Sequence, residues 1–241
     1  MKVLVAFGCS HTNGSMLDGK NGTSKYNVRN GFPSMIAKEN GYDLINVSKP
    51  GGSNTFIHRS VIRFLNYNYN PDAQYVFLIG WTSPKRMELR YPDNPAYKHQ
   101  TEGDYIDKKY VPFTAGSDPK LYKMQEMREM LNYSPLLFSD YLQVNNWTSY
   151  VLSLQKLLKA RGIKYYMHNT CYEHEINDYN KDLVSHIDRH LYYKPFDRNH
   201  TMVFHNMNKG IEKTECWHFR HDGHREWANV LNEQMHIHQV L

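Results

Sequence analysis

Val3-Leu4-Val5-Ala6-Phe7-Gly8-Cys9-Ser10-His11-Thr12 is the stretch that decides the fold. An apolar run reaches a glycine, and a serine follows on the turn. A strand apolar on both faces is the mark of a buried parallel strand. A hydroxyl just past its end lies at the carboxyl edge of a sheet, where open α/β folds build their sites.

The same pattern repeats along the chain. Asp43-Leu44-Ile45-Asn46-Val47, Tyr75-Val76-Phe77-Leu78-Ile79-Gly80 and Ile163-Lys164-Tyr165-Tyr166-Met167-His168 read as three more strands. Thr201-Met202-Val203-Phe204 reads as a short fifth. Residues 12–30, rich in Gly, Asn and Ser, read as a loop. Between the strands lie amphipathic helices. One starts at Phe32-Pro33, one near Thr55 with Ser53 or Asn54 as its N-cap, one spans about 140–161, and one spans about Asp222–His238. This alternation predicts a three-layer α/β/α sandwich with a central parallel sheet, of flavodoxin-like type. The stretch from about 85 to 140 breaks the rhythm with Pro92, Pro95, Pro112 and Pro119. It reads as an insertion or lid after the third strand, with a helix near 119–132. The expectation is a single domain over residues 1–241.

Composition narrows the function. The chain has 241 residues and a formal charge of +5, with Lys and Arg scattered. No basic stripe suggests nucleic acid as a partner. No apolar run is long enough for a membrane span. Met1-Lys2-Val3 runs straight into a strand without a signal-peptide layout, so a cytoplasmic location is the default expectation. Cys9, Cys171 and Cys216 lack disulfide or metal spacing, and Cys9 reads as a small buried residue. His218, His221 and His224 lack a carboxylate at zinc-site spacing, so no metal is expected. Arg86 and Arg90, after the third strand, read as a solvated face. Nineteen tyrosines suit carbohydrate or interface contacts.

Four blocks in chain order carry a resemblance. Gly8-Cys9-Ser10 resembles the opening Gly-x-Ser of the SGNH (GDSL-type) hydrolases. Asn46 followed by Gly51 is similar to their second block, and Gly80-Trp81-Thr82 stands where they have Gly-x-Asn. Glu215-x-x-His218, with Gly223-His224 behind it, stands where they have Asp-x-x-His and a later Gly-His. Gly-Trp-Thr-Ser-Pro with Gly-Gly-Ser-Asn also resembles divergent, phage-encoded members. The resemblance implies an SGNH-type sandwich and acyl transfer without a cofactor. Ser10 would be the nucleophile, His218 the base and Glu215 its orienting carboxylate. The backbone N–H groups of Ser10 and Gly51 would hold the oxyanion, with Thr82 replacing the usual asparagine. His11, Asn54 and Trp81 would border the substrate, expected to be a small ester such as an O-acetylated glycan. Thr82 for Asn and Phe219-Arg220 for the family's Pro-Ser motivate an alternative. In it the scaffold is catalytically weakened and serves as a binding or structural component, as a homo-oligomer or in a virion.

Overall fold

The computed structural model describes residues 1–19, 24–90, 110–114, 125, 128–129, 131–132 and 140–241. The elements run β1 (Lys2–Phe7), α1 (Ser10–Asn13), α2 (Lys25–Asn30), α3 (Phe32–Glu39), β2 (Asp43–Asn46), α4 (Asn54–Tyr67) and β3 (Gln74–Trp81). Then come β4 (Arg86–Arg90), β5 (Tyr110–Thr114), α5 (Asp140–Ala160), β6 (Lys164–Asn169), α6 (Lys181–Val184), α7 (Met202–Asn208) and α8 (His221–Ile237).

Four strands form one parallel sheet in the order β2-β1-β3-β6. Side chains alternate across it. Val3, Val5 and Phe7 share one face with Tyr75, Phe77, Ile79 and Trp81, packed with α4 and α5 residues such as Phe64 and Trp147. Leu4, Val76, Leu78 and Tyr166 face the other way, onto Phe32 and Ile36 of α3 and Trp227 and Leu231 of α8. Both faces are covered, which is why the strands read as continuous apolar runs. Burial of each such Val, Leu, Ile or Phe is worth about 1.5–3 kcal/mol.

Register brings the strand ends level. Phe7 pairs with Ile79, and Trp81 pairs with Asn169. The residues that follow β1, β3 and β6 therefore emerge at one edge. Local signals set the helices that flank it. Ser53 caps α4 by accepting from the Phe56 N–H at 3.0 Å. Pro33 sits in the first turn of α3. Gly14, at φ 81°, stops α1 after four residues.

Two expectations are corrected. The segment 12–30 is not all loop, since it holds the end of α1 and all of α2. Thr201–Phe204 is not a strand. The Thr201 hydroxyl accepts from the Phe204 N–H at 3.3 Å and so starts helix α7. The edge beyond β6 is taken instead by Tyr192, bridged to Met167, with the Tyr193 N–H bonded to the Met167 carbonyl. Of the 85–140 stretch, the described part includes an antiparallel pair, β4 with β5. The bidentate Arg59–Glu88 ion pair ties β4 to α4. Most of the helix predicted near 119–132 lies outside the described residues.

Candidate active site

Ser10 opens α1 immediately past β1, with Cys9 as an extended N-cap residue. Its side chain is nearly buried, and it makes no hydrogen bond to His218. Neither the Ser10 nor the Gly51 backbone N–H donates a hydrogen bond among the described residues, so both remain free to receive an anion. Gly51 needs its glycine, since φ is 75°. Asn46 fixes the second loop. Its amide donates to the Thr12 carbonyl at 3.2 Å, and its oxygen accepts from the Ser48 N–H at 3.0 Å.

His218 arrives from the far end of the chain on a tight turn. The Thr214 N–H donates to the His218 carbonyl at 2.8 Å, and the His218 N–H donates to the Thr214 hydroxyl at 3.2 Å. Closing this turn puts Trp217 at φ 64°, a conformation that costs a non-glycine residue energy. The His218 ring stacks on His11, with centroids 4.6 Å apart. Thus the structure brings His11 and His218 together beside the Ser10 turn. Burial first, then the neighbouring His11, pushes the His218 pKa down to about 4. Burial also lowers that of His11. His218 is therefore a neutral imidazole at physiological pH. Its Nε2 is buried without a hydrogen-bond partner among the described residues, as is His11 Nδ1.

Glu215 is not brought to this ring. Its side chain is exposed, while Cys216 Sγ stands 3.2 Å from His218 Nδ1. The same sulfur lies 3.2 Å from the Thr214 hydroxyl. When Nδ1–H donates to the sulfur, Nε2 carries the lone pair a general base needs.

Thr82 is fully buried. Its N–H donates to Asn54 Oδ1 at 2.9 Å, and its carbonyl accepts from Asn54 Nδ2 at 3.1 Å. Its hydroxyl accepts from Arg86 Nη1 at 3.0 Å. The Asn54 amide thus spends one of its two N–H donors, and its oxygen, on the β3 exit. Trp81 is corrected as a substrate contact. Alternation along β3 puts its ring, fully buried, into the core against α4 and α5. Arg86 is not on a solvated face, because it turns in to reach Thr82.

Sequence reasoning missed Cys216, Arg86 and Cys171. Arg86 sits four residues after Thr82, and Cys171 two residues after β6. Position just past a parallel strand was a usable signal for Cys171. Beside the His218 turn lies a groove of about 820 Å³, bordered by Met16, Lys213, Glu215, Cys216 and Arg220.

No family model and no curated protein sequence matches the chain. Solved structures do match the chain, carbohydrate esterases among them. One, described as a carbohydrate esterase whose active site displays divergent catalytic and non-catalytic binding functions, is 15% identical with a TM-score of 0.48. The match covers 98% of this chain and 64% of that one. Another is a carbohydrate esterase family 2 enzyme with a carbohydrate-binding domain, from Corynascus thermopiles (Myceliophthora fergusii). It is 10% identical with a TM-score of 0.51, and the match covers 100% of this chain and 67% of that one. The chain thus spans about two thirds of the length of each, and it has the mixed α/β architecture, a parallel sheet flanked by helices, that the second one displays.

Proposed function

We propose that the chain is a serine acyl hydrolase acting on a small carbohydrate ester, without a cofactor. The observation that carries this reading is the neutral, buried His218. Its unpartnered Nε2 lies at the same sheet edge as Ser10 and the two free N–H groups of Ser10 and Gly51.

The chemistry follows from those groups. It requires a rotation of the Ser10 side chain that carries Oγ to Nε2. The oxygen attacks the ester carbonyl as Nε2 takes its proton. The carbonyl oxygen becomes an anion held by the Ser10 and Gly51 N–H groups. Collapse expels the alcohol, which takes the proton back from Nε2. Water, deprotonated by the same nitrogen, then releases the acid and frees Ser10.

Two features support a sugar on the alcohol side. Trp217, the residue before the base, is half exposed. Lys213 Nζ lies 3.7 Å from its ring centroid. A flat indole beside an ammonium matches the C–H faces and hydroxyls of a pyranose. The groove beside it is bordered by the charged side chains of Lys213, Glu215 and Arg220, which suit the hydroxyls of a glycan.

The test is hydrolysis of p-nitrophenyl acetate and of an O-acetylated oligosaccharide by wild type, Ser10→Ala and His218→Ala. Turnover lost in both variants is the expected result. Equal rates in all three would overturn the reading. That outcome would favour a binding scaffold, the alternative suggested by the missing Ser10–His218 hydrogen bond and the Asn54 amide bonded to the β3 exit.

A further inference from the structure

Three neighbouring strands each deliver a group to one buried spot behind Ser10. Cys9 follows β1, Thr82 follows β3, and Thr170 with Cys171 follows β6. The Thr170 hydroxyl donates to the Trp81 carbonyl at 2.7 Å. It lies 3.5 Å from Cys9 Sγ and 3.5 Å from Cys171 Sγ, so it stands between two free thiols. Cys171 Sγ is also 4.0 Å from the Thr82 hydroxyl. On the other side of Thr82 stands Arg86, whose guanidinium donates to that hydroxyl at 3.0 Å.

Arg86 forms no ion pair with a carboxylate among the described residues. A guanidinium largely removed from water calls for an anion. The thiols beside it supply the candidate. We propose that Cys171 and Cys9 form a redox-active pair, in which a hydroperoxide oxidises Cys171 beside Arg86 and Cys9 then closes a disulfide that reshapes the Ser10 turn.

The two sulfurs are unequal in the way this requires. Full burial pushes the Cys9 thiol up to about 11. Cys171 is held down to about 6, first by hydrogen bonding from Cys9 and then by the charge of Arg86, against the effect of burial. These directions cast Cys171 as the attacking sulfur and Cys9 as the resolving one. The electrons balance. The Cys171 thiolate attacks one peroxide oxygen and the O–O bond breaks. The other oxygen leaves as an alkoxide or hydroxide and takes up a proton from water. The sulfenic acid is then attacked by Cys9 sulfur. An S–S bond forms as the S–O bond breaks, and water leaves. Two thiols have been oxidised by two electrons and one peroxide reduced. Cys9 is the residue that caps α1 ahead of Ser10. Drawing its sulfur onto Cys171 therefore moves the turn that carries the proposed nucleophile. This last consequence rests on the hydrolase reading, whereas the thiol chemistry does not.

The test uses the full chain in a Cys216→Ser background, which removes the exposed thiol. The protein is treated with hydrogen peroxide, then denatured and alkylated with iodoacetamide. The expected product has lost the mass of two hydrogens, takes up no alkyl group, and yields a Cys9–Cys171 cross-linked peptide that dithiothreitol releases. Adding Cys9→Ser should stop the reaction at a dimedone-trappable sulfenic acid on Cys171. Arg86→Met should slow Cys171 oxidation at neutral pH by about tenfold, through a smaller thiolate fraction, while Arg86→Lys keeps most of the rate. Two thiols still fully alkylated after excess peroxide would overturn the pair. So would a Cys171 rate that Arg86→Met leaves unchanged in a folded protein. In the Cys216→Ser protein, peroxide should lower the ester hydrolysis that remains, and dithiothreitol should restore it. Full activity in the cross-linked protein would overturn the coupling to Ser10. If wild type hydrolyses no ester, the cross-link still decides the thiol chemistry.

Discussion

Asn54 and Thr82 hold each other by two hydrogen bonds, Thr82 N–H to Asn54 Oδ1 at 2.9 Å and Asn54 Nδ2 to the Thr82 carbonyl at 3.1 Å. The side chain at the start of α4 thereby imitates a neighbouring strand for the last turn of β3. This uses one of the two Nδ2 hydrogens. Asn54→Ala would leave a buried N–H and a buried carbonyl unpaired, each worth about 1–3 kcal/mol. The expected result is a loss of about 2–5 kcal/mol in chemical denaturation. Were Asn54 an oxyanion donor instead, kcat would fall by about 10²–10³ with little change in stability.

Cys216, rather than Glu215, stands on His218 Nδ1. A thiol orients an imidazole but stabilises its cation less than a carboxylate does. Glu215→Gln is therefore expected to leave kcat within about twofold, because its side chain is exposed and away from the ring. Cys216→Ala should lower kcat by about tenfold or more by freeing the ring to turn. Comparing kcat on p-nitrophenyl acetate for the two variants checks this. A large loss with Glu215→Gln alone would restore the carboxylate to the triad.

Trp217 combines exposure with a left-handed backbone next to the proposed base. If it carries the sugar, Trp217→Ala should raise KM for an acetylated oligosaccharide by about tenfold and leave p-nitrophenyl acetate unaffected. Trp217→Gly should show the same loss with the turn relaxed. Equal losses on both substrates would assign Trp217 to holding the turn instead.

The strand pattern was legible because β1, β3 and β6 are buried on both sides, leaving no ambiguity of face. Ser53 as a cap and Ser10 past β1 followed from residue type and position. What was not legible depended on the direction of single side chains. Whether residue 215 or 216 meets His218 is set by the tight Thr214–His218 turn, which no spacing rule predicts. Trp81 looked like a site residue beside Thr82. The two-residue alternation of β3 instead points it into the core with Ile79. Thr201-Met202-Val203-Phe204 has strand-like residues, but the threonine hydroxyl supplied a helix cap.

Gly80 illustrates a residue read for one reason and needed for another. In the sequence it belongs to the third block of the resemblance. In the fold, a Cβ there would lie 2.7 Å from the Thr12 hydroxyl and 2.9 Å from the His168 ring, both buried. Neither neighbour is the free end of a flexible side chain. Gly80→Ala should destabilise the protein by about 1–3 kcal/mol through overpacking. Thermal unfolding checks this, and an unchanged or raised Tm would contradict the tight fit.

His168, His174 and His224 make the fold sensitive to acid. All three are buried, and burial pushes each pKa down to about 3. Unfolded, each returns toward the ordinary histidine value of 6.5, so the unfolded chain binds more protons throughout the interval. The sign is fixed by that difference. Stability is fully present above pH 6.5 and falls as pH drops toward 3. Each of the three adds about 1.4 kcal/mol per pH unit to the slope in the middle of the window, and His218 and His11, also held down by burial, add to it. Against a typical stability of about 5–15 kcal/mol, unfolding should set in between about pH 4 and 5. Denaturant titrations across pH 7 to 4 measure the slope directly. His168→Leu, which removes a ring whose nitrogens have no hydrogen-bond partner among the described residues, should cut it by about 1.4 kcal/mol per pH unit. A slope that this substitution leaves unchanged would show that His168 takes up no extra proton when the chain unfolds.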